Sequence, residues 1–180
     1  MSKKILVISS SPRRKSNSDA MCDEFIKGTK ENNSIVEKIR LSDYLINYCT
    51  GCDLCSTYNK PCNQKDDAKF IIEKMINADV IVMATPLYFY AMSAQLKTLI
   101  DRCCGEYTKM QNKDFYFIVT AAENSEKQAY RAVENITGFL DCLENPSIKG
   151  VCYGLGVWHT GEIKDNKGLI DAYNMGKNII

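Results

Sequence analysis

Four cysteines crowd into CTGCDLCSTYNKPC, where Cys49, Cys52, Cys55 and Cys62 are separated by gaps of two, two and six residues. Thiolates at the first three spacings can wrap three corners of a [4Fe-4S] cube, and Cys62 is near enough in the chain to take the fourth. Structural zinc more often uses two separated pairs with a longer spacer, so it ranks behind the cluster. Free thiols holding no metal are the third reading. A second stretch, SSSPRRKSNS at residues 9–18, follows the apolar run ILVIS. A hydroxyl-rich loop between a buried strand and a helix gathers free N–H groups and the positive end of a helix dipole, which makes an anion site. Ser11, Ser16 and Ser18 add hydroxyl donors there, Asn17 an amide, and Arg13 a planar fork for two phosphate oxygens. The plain alternative is a capped turn with a solvated RRK run.

Neither the Walker ending Gly-Lys-Ser/Thr nor G-x-G-x-x-G is present, so ATP and a Rossmann-bound dinucleotide lose support. The third stretch, TPLYFYAMS, ends another apolar run in a proline-fixed turn with Thr85, Pro86, Leu87, Tyr88, Phe89 and Tyr90. Consecutive aromatics there can wall a planar heteroaromatic ring, and Ala91 and Ser93 let backbone amides approach its edge. They can equally cover the sheet end or an oligomer interface. A phosphate cradle and an aromatic wall together fit a phosphorylated planar ligand, and FMN fits best.

These stretches need a scaffold that brings them together. Residues 4–9, 80–84, 115–119 and 148–153 are short Ile/Val/Phe-rich runs that predict strands covered on both faces, and 35–41 predicts a more edge-like fifth. Helical patterns cover 18–31, 66–77, 93–103, 125–140 and 167–178, with Ser125 and Gln128 forming a capping box. Asp66 and Asp67 suit a helix start. Strand–helix alternation predicts an α/β fold: an open parallel five-stranded sheet with helices on both faces, whose ligands bind beyond the carboxyl ends of the strands.

One domain is expected at 180 residues, with an irregular cysteine-rich loop at 42–65. Lys+Arg 23 against Asp+Glu 22 leaves no one-signed field to draw in nucleic acid or a membrane, and a small ligand is the expected partner. Nine cysteines without a secretory signal point to reduced thiols in a cytoplasm. Cys22, Cys103, Cys104, Cys142 and Cys152 sit in apolar patterns and are expected in the core. His159, the single histidine, joins no Cys-His or Ser-His-Asp constellation, so no catalytic side chain is assigned and hydrolase chemistry is unsupported.

Over nearly its whole length the chain resembles the flavodoxin-like NAD(P)H-dependent FMN reductases, including their iron-sulfur flavoprotein branch. SSPRRKSNS resembles that family's phosphate loop, ADVIVMATPLYFYAMSAQLKTLIDR its second signature, and GVCYGLGVWHTGEI with LIDAYNMGKNI its usual ending. The resemblance implies the flavodoxin-like strand order 2-1-3-4-5. It also implies Ser11, Arg13, Ser16, Asn17 and Ser18 at the FMN phosphate, Thr85, Pro86, Leu87, Tyr88 and Phe89 along the ribityl chain and ring, and Thr120 and Ala121 facing the ring. Ser10 stands where the family usually has Gly, which implies a wider loop or an extra hydroxyl at the anion site. The activity implied is hydride transfer from NAD(P)H to FMN and on to a quinone, nitro compound, flavin or redox protein, from a homodimer or dimer of dimers. A flavodoxin-type or iron-sulfur electron carrier is the alternative.

Overall fold

The computed structural model describes residues 2–179. Its strands are β1 (Lys4–Ser9), β2 (Ile35–Arg40), β3 (Val80–Pro86), β4 (Asp114–Thr120) and β5 (Ser147–Gly154), joined in one parallel sheet of order β2-β1-β3-β4-β5. The helices are α1 (Asn17–Thr29), α2 (Ala68–Asn77), α3 (Ala94–Arg102), α4 (Glu126–Leu140) and α5 (Lys167–Lys177). The expected fold and strand order are both present. Because the chain leaves β1 toward β2 on one side and returns to β3 on the other, the loops after β1 and β3 diverge and leave a crevice between them.

Alternation along the strands divides the core. Leu6, Ile8, Ile81 and Met83 pack with Ile71, Met75, Leu96, Leu99 and Ile136 of α2, α3 and α4. Ile5, Val7, Val80 and Val82 pack with Met21, Phe25 and Ala172 of α1 and α5 on the other face. Helices α1 and α5 approach backbone to backbone: a Cβ added at Gly28 would lie 2.1 Å from the Tyr173 carbonyl oxygen, and one at Gly176 2.1 Å from that of Phe25. Only glycine permits that contact.

Differences from expectation have local causes. β3 runs on to Pro86, since Leu87 supplies the next N–H, donating to Thr120 O at 2.7 Å. α2 starts at Ala68, because the carboxylates of Asp66 and Asp67 are occupied by the amides of Asn47 and Leu45. Only half of the capping box forms: Ser125 Oγ accepts from Gln128 N at 3.4 Å, while Gln128 Oε1 is buried without a partner among the described residues. Cys22, Cys103 and Cys152 are buried as expected, but Cys104 and Cys142 are exposed because they fall in turns just past the ends of α3 and α4. Among the described residues no helix is long and apolar enough to cross a membrane.

Candidate functional site

The loop after β1 is built around the cap of α1. Ser16 is extended at φ −67° and ψ 162°, and its Oγ accepts from Asp19 N at 3.1 Å and lies 3.2 Å from Ser18 Oγ. Just before it Lys15 turns left-handed, φ 53°, the kind of bend that sets successive N–H groups around an anion. Ser16, Asn17 and Ser18 are buried, yet their backbone amides have no acceptor among the described residues. Burying unpaired N–H groups is costly, so three in series mark a place made for an acceptor. Ser11 is also buried, its Oγ accepting from Arg13 N at 3.3 Å.

Two side chains of this loop turn toward the segment after β5. Arg13 Nη1 donates to Trp158 O at 2.6 Å; Asn17 Nδ2 donates to His159 O at 2.9 Å while its Oδ1 accepts from Gly161 N at 3.0 Å. Asn17 thus straps the 158–161 segment with its amide and offers only its backbone N–H to the anion position. His159 is exposed, and its backbone alone is engaged. Ser10 does not join the anion site. Its hydroxyl is wholly buried, donating to Ala84 O at 2.8 Å and standing 2.9 Å from Ser93 Oγ, the cap of α3.

From β3, Thr85 is buried with its Oγ1 accepting from Ser93 N at 2.9 Å, so it holds the base of the loop. Tyr88 and Ala91 exchange two 3.0 Å backbone bonds across a two-residue turn in which Phe89 (φ 48°) and Tyr90 (φ 61°) are both left-handed. Such turns favour Asn-Gly. Here they lift Phe89 fully into solvent, 104% exposed, while Tyr90 lies under Arg131, 5.3 Å from ring centroid to guanidinium, with its hydroxyl 3.2 Å from Glu123 Oε1. Phe89 therefore does not line the crevice in this chain.

One crevice is lined by Ser11, Arg13, Asn17 and Ser18 after β1, by Pro86, Leu87 and Tyr88 after β3 with Thr120, Ala121 and Ala122 of the adjoining β4 end, and by Val157 and Trp158; Pro86 and Thr120 are sheet partners there. The crevice holds about 90 Å³, Arg13 reaching across it to the Trp158 carbonyl. Ligand pockets run to roughly 300 Å³ or more, so the crevice with this contact in place is smaller than a flavin ring needs. Val157 and Trp158 were missed as lining residues from sequence; their signal was the apolar pair after a glycine-rich strand end. Larger hollows flank β5 near Tyr153 and Glu126, but no residue of the β1 loop lines them.

Residues 3–157 match the family described as NADPH-dependent FMN reductase. The chain belongs to this family. FMN is accordingly its cofactor and NAD(P)H its source of electrons. An iron-sulfur flavoprotein of Archaeoglobus fulgidus is 32% identical over 193 residues, 98% of this chain and 94% of that protein. One of Methanocaldococcus jannaschii is 39% identical over 99 residues, which take in 55% of this chain and 51% of that protein, about half of each. Among solved structures, an NAD(P)H:quinone oxidoreductase from Methanothermobacter marburgensis superposes at TM-score 0.74 with 17% identity, covering 99% of this chain and 97% of the other. An azoreductase from Bacillus anthracis str. Sterne does so at 0.72 with 18% identity, covering 99% and 100%. These two share the fold. The donor set described above, serial amides at a helix start with serine hydroxyls and a guanidinium beside them, fits the phosphate of the reductase family's cofactor.

The reductase's cysteine loop is clasped at its neck. Asp67 exchanges backbone and side-chain bonds with Leu45, and Asp66 Oδ2 accepts from Asn47 N at 2.9 Å. Arg102, at the end of α3, grips Asp66 with both nitrogens at 2.5 and 3.1 Å, donates to Asn47 O at 2.8 Å and reaches Cys62 Sγ at 3.4 Å. Both side chains of this ion pair are buried. Burial alone would raise the Asp66 carboxyl, but the Arg102 guanidinium and the amides of Asn47 and Ala68 outweigh it and hold the group below its ordinary range. Asp66 and Asp67 thus do more than start α2. Arg102 went unread in the sequence, although a cation three residues after Leu99 on the buried face of α3 was the available sign.

Inside the loop, Thr57 N bonds Asp53 O at 2.9 Å and Lys60 N bonds Leu54 O at 2.9 Å, with Gly51, Asp53 and Asn59 left-handed. Cys49, Cys52 and Cys62 are exposed and Cys55 is half-buried. Among the described residues no three Cys, His, Asp or Glu side chains are grouped so that they could hold a metal ion. The four thiols thus form no ready-made cage for a cluster.

Proposed function

We propose that the protein takes a hydride from NADH or NADPH onto FMN seated between the loops after β1, β3 and β4, and passes the electrons to a small quinone, nitro or flavin acceptor. The observation that carries this reading is the run of buried, unpaired amides at Ser16, Asn17 and Ser18 at one end of a crevice walled by Pro86, Leu87 and Tyr88. Bound FMN supplies the hydride and electron chemistry, which is why no acid–base side chain is required. The chain's own residues bind and orient. Amides 16–18 and the Ser11 and Ser18 hydroxyls would donate to the phosphate, Arg13 would add charge-assisted bonds to it, Leu87 and Tyr88 would wall the ring, and Ala121 would allow a close approach.

Anaerobic mixing with NADH or NADPH tests the proposal. Flavin absorbance is expected to bleach within the time of turnover; a flavin that stays oxidised with both donors would leave the electron-carrier alternative standing. A cluster held by Cys49, Cys52, Cys55 and Cys62 is the second reading, favoured by their spacing and by the similarity to iron-sulfur flavoproteins. Iron and acid-labile sulfide analysis of anaerobically purified protein decides it. The exposed Phe89 tip supports a homodimer or dimer of dimers, which light scattering at micromolar concentration tests, and nine free thiols support a reducing, cytoplasmic setting.

A further inference from the structure

Arg131 of α4 is a guanidinium set on an aromatic face and given no acid. Its centre stands 5.3 Å from the Tyr90 ring centroid, and the Tyr90 hydroxyl donates to Glu123 Oε1 at 3.2 Å. Tyr90 lies two positions past Tyr88 and Glu123 one past Ala122, so both belong to segments that line the crevice. Stacking holds a guanidinium flat while its edge N–H groups stay free for two oxygens of a phosphate. Lys127, one helical turn before Arg131, shares its side of α4, and both side chains are exposed. Among the described residues neither side chain makes a hydrogen bond or an ion pair, although Glu126 and Glu134 stand on the same helix. Both cations line a hollow of about 790 Å³ that runs along α4 to Tyr130 and Tyr153. The crevice, at about 90 Å³, is far too small to take in a whole dinucleotide beside a flavin, so the second half of such a donor must lie outside it.

We propose that this hollow receives the adenosine diphosphate half of the nicotinamide donor, with Arg131 and Lys127 on its pyrophosphate and Tyr130 and Tyr153 beside its planar base. The inference rests on the reading of the crevice as the place where FMN takes a hydride. Arg131 supplies a flat, charge-assisted fork for the pyrophosphate oxygens, and Lys127 a second positive charge. Glu126 and Glu134, on the wall of the same hollow, offer acceptors to ribose hydroxyls. Tyr90 and Glu123 are positioning residues: the phenol carries the guanidinium, and the carboxylate fixes the phenol. This arrangement also gives the left-handed backbone of Tyr90 a purpose, since it sets the ring under Arg131 and beside the crevice at once.

The test uses full-length, FMN-loaded protein. Calorimetric titration with ADP-ribose, which carries the pyrophosphate and adenosine without the nicotinamide, reads the hollow directly. Anaerobic flavin reduction by NADH, NADPH and reduced nicotinamide mononucleotide reads it through the donor. ADP-ribose is expected to bind and to compete with the better dinucleotide. Arg131→Ala is expected to weaken ADP-ribose binding and to raise that dinucleotide's half-saturating concentration, each about tenfold, with the limiting rate of flavin reduction and the rate with the mononucleotide retained. Arg131→Lys is expected to recover part of the loss. A flavin that neither dinucleotide reduces overturns the hydride reading and this inference with it. A flavin reduced normally, with ADP-ribose bound equally by Arg131→Ala and the wild type, overturns this inference alone. Equal losses with the mononucleotide and the dinucleotide also overturn it, since they would assign Arg131 to holding the Phe89–Tyr90 turn.

Discussion

At the scale of single residues, backbone groups carry more of the binding site than the side chains that advertise it. SSPRRKSNS announces a phosphate loop, but Asn17 spends its amide on His159 and Gly161, and Ser10 spends its hydroxyl on Ala84 and Ser93. Residue type alone could not reveal this, since all four partners come from segments more than 70 positions away. Arg13 donates to the neutral carbonyl of Trp158, an acceptor that a doubly negative phosphate outcompetes through charge-assisted bonds. Arg13→Ala is therefore expected to weaken FMN binding by about 1.5–3 kcal/mol. Flavin fluorescence titration measures it, and unchanged affinity would remove Arg13 from the site.

The clasp of Asp66 and Arg102 makes a second prediction. The folded state holds the Asp66 carboxyl below its ordinary value, so folding favours the ionised form. That stabilisation is complete above the unfolded carboxyl's range near about 3.9 and is lost as pH falls through the folded value. Asp66→Asn leaves the buried Arg102 guanidinium without its counter-charge and is expected to cost about 3 kcal/mol at neutral pH. Urea melts should find the variant's deficit shrinking as pH drops below about 4, whereas a deficit constant with pH would separate the clasp from the titration of Asp66.

At the scale of elements, periodicity located all five strands and all five helices, because runs such as ILVIS and VIVMA have no way to be covered except on both faces of a sheet. Their ends were less legible. α2 begins late because carboxylates at 66 and 67 serve the loop behind them, and the Phe89–Tyr90 turn takes a left-handed form that aromatic residues do not signal. The packing of α1 on α5 was equally hidden, since Gly28 and Gly176 matter through the distance between two backbones. Gly176→Ala is expected to destabilise the protein by about 1–3 kcal/mol, as overpacking does when the obstructing atom is a carbonyl that cannot rotate away. Thermal melts measure that loss, and an unchanged midpoint would mean that α5 slides at no cost.

At the scale of the whole molecule, the order β2-β1-β3-β4-β5 collects the ends of β1, β3 and β4 on one edge, so segments far apart in sequence, such as Ser11 and Pro86, meet around one crevice. A ligand that binds only this assembled edge stabilises the entire fold, by about 2.7 kcal/mol at a hundred times its dissociation constant, or about 2–4 °C per kcal/mol for a chain of this size. Riboflavin offers the same ring without the phosphate, leaving the amides of Ser16, Asn17 and Ser18 with no charged acceptor. FMN is therefore expected to raise the melting temperature of flavin-free protein progressively with concentration, and riboflavin at equal concentration to raise it far less. Equal shifts would place the binding energy on the ring walls of Leu87, Tyr88 and Trp158 and take it away from the loop after β1.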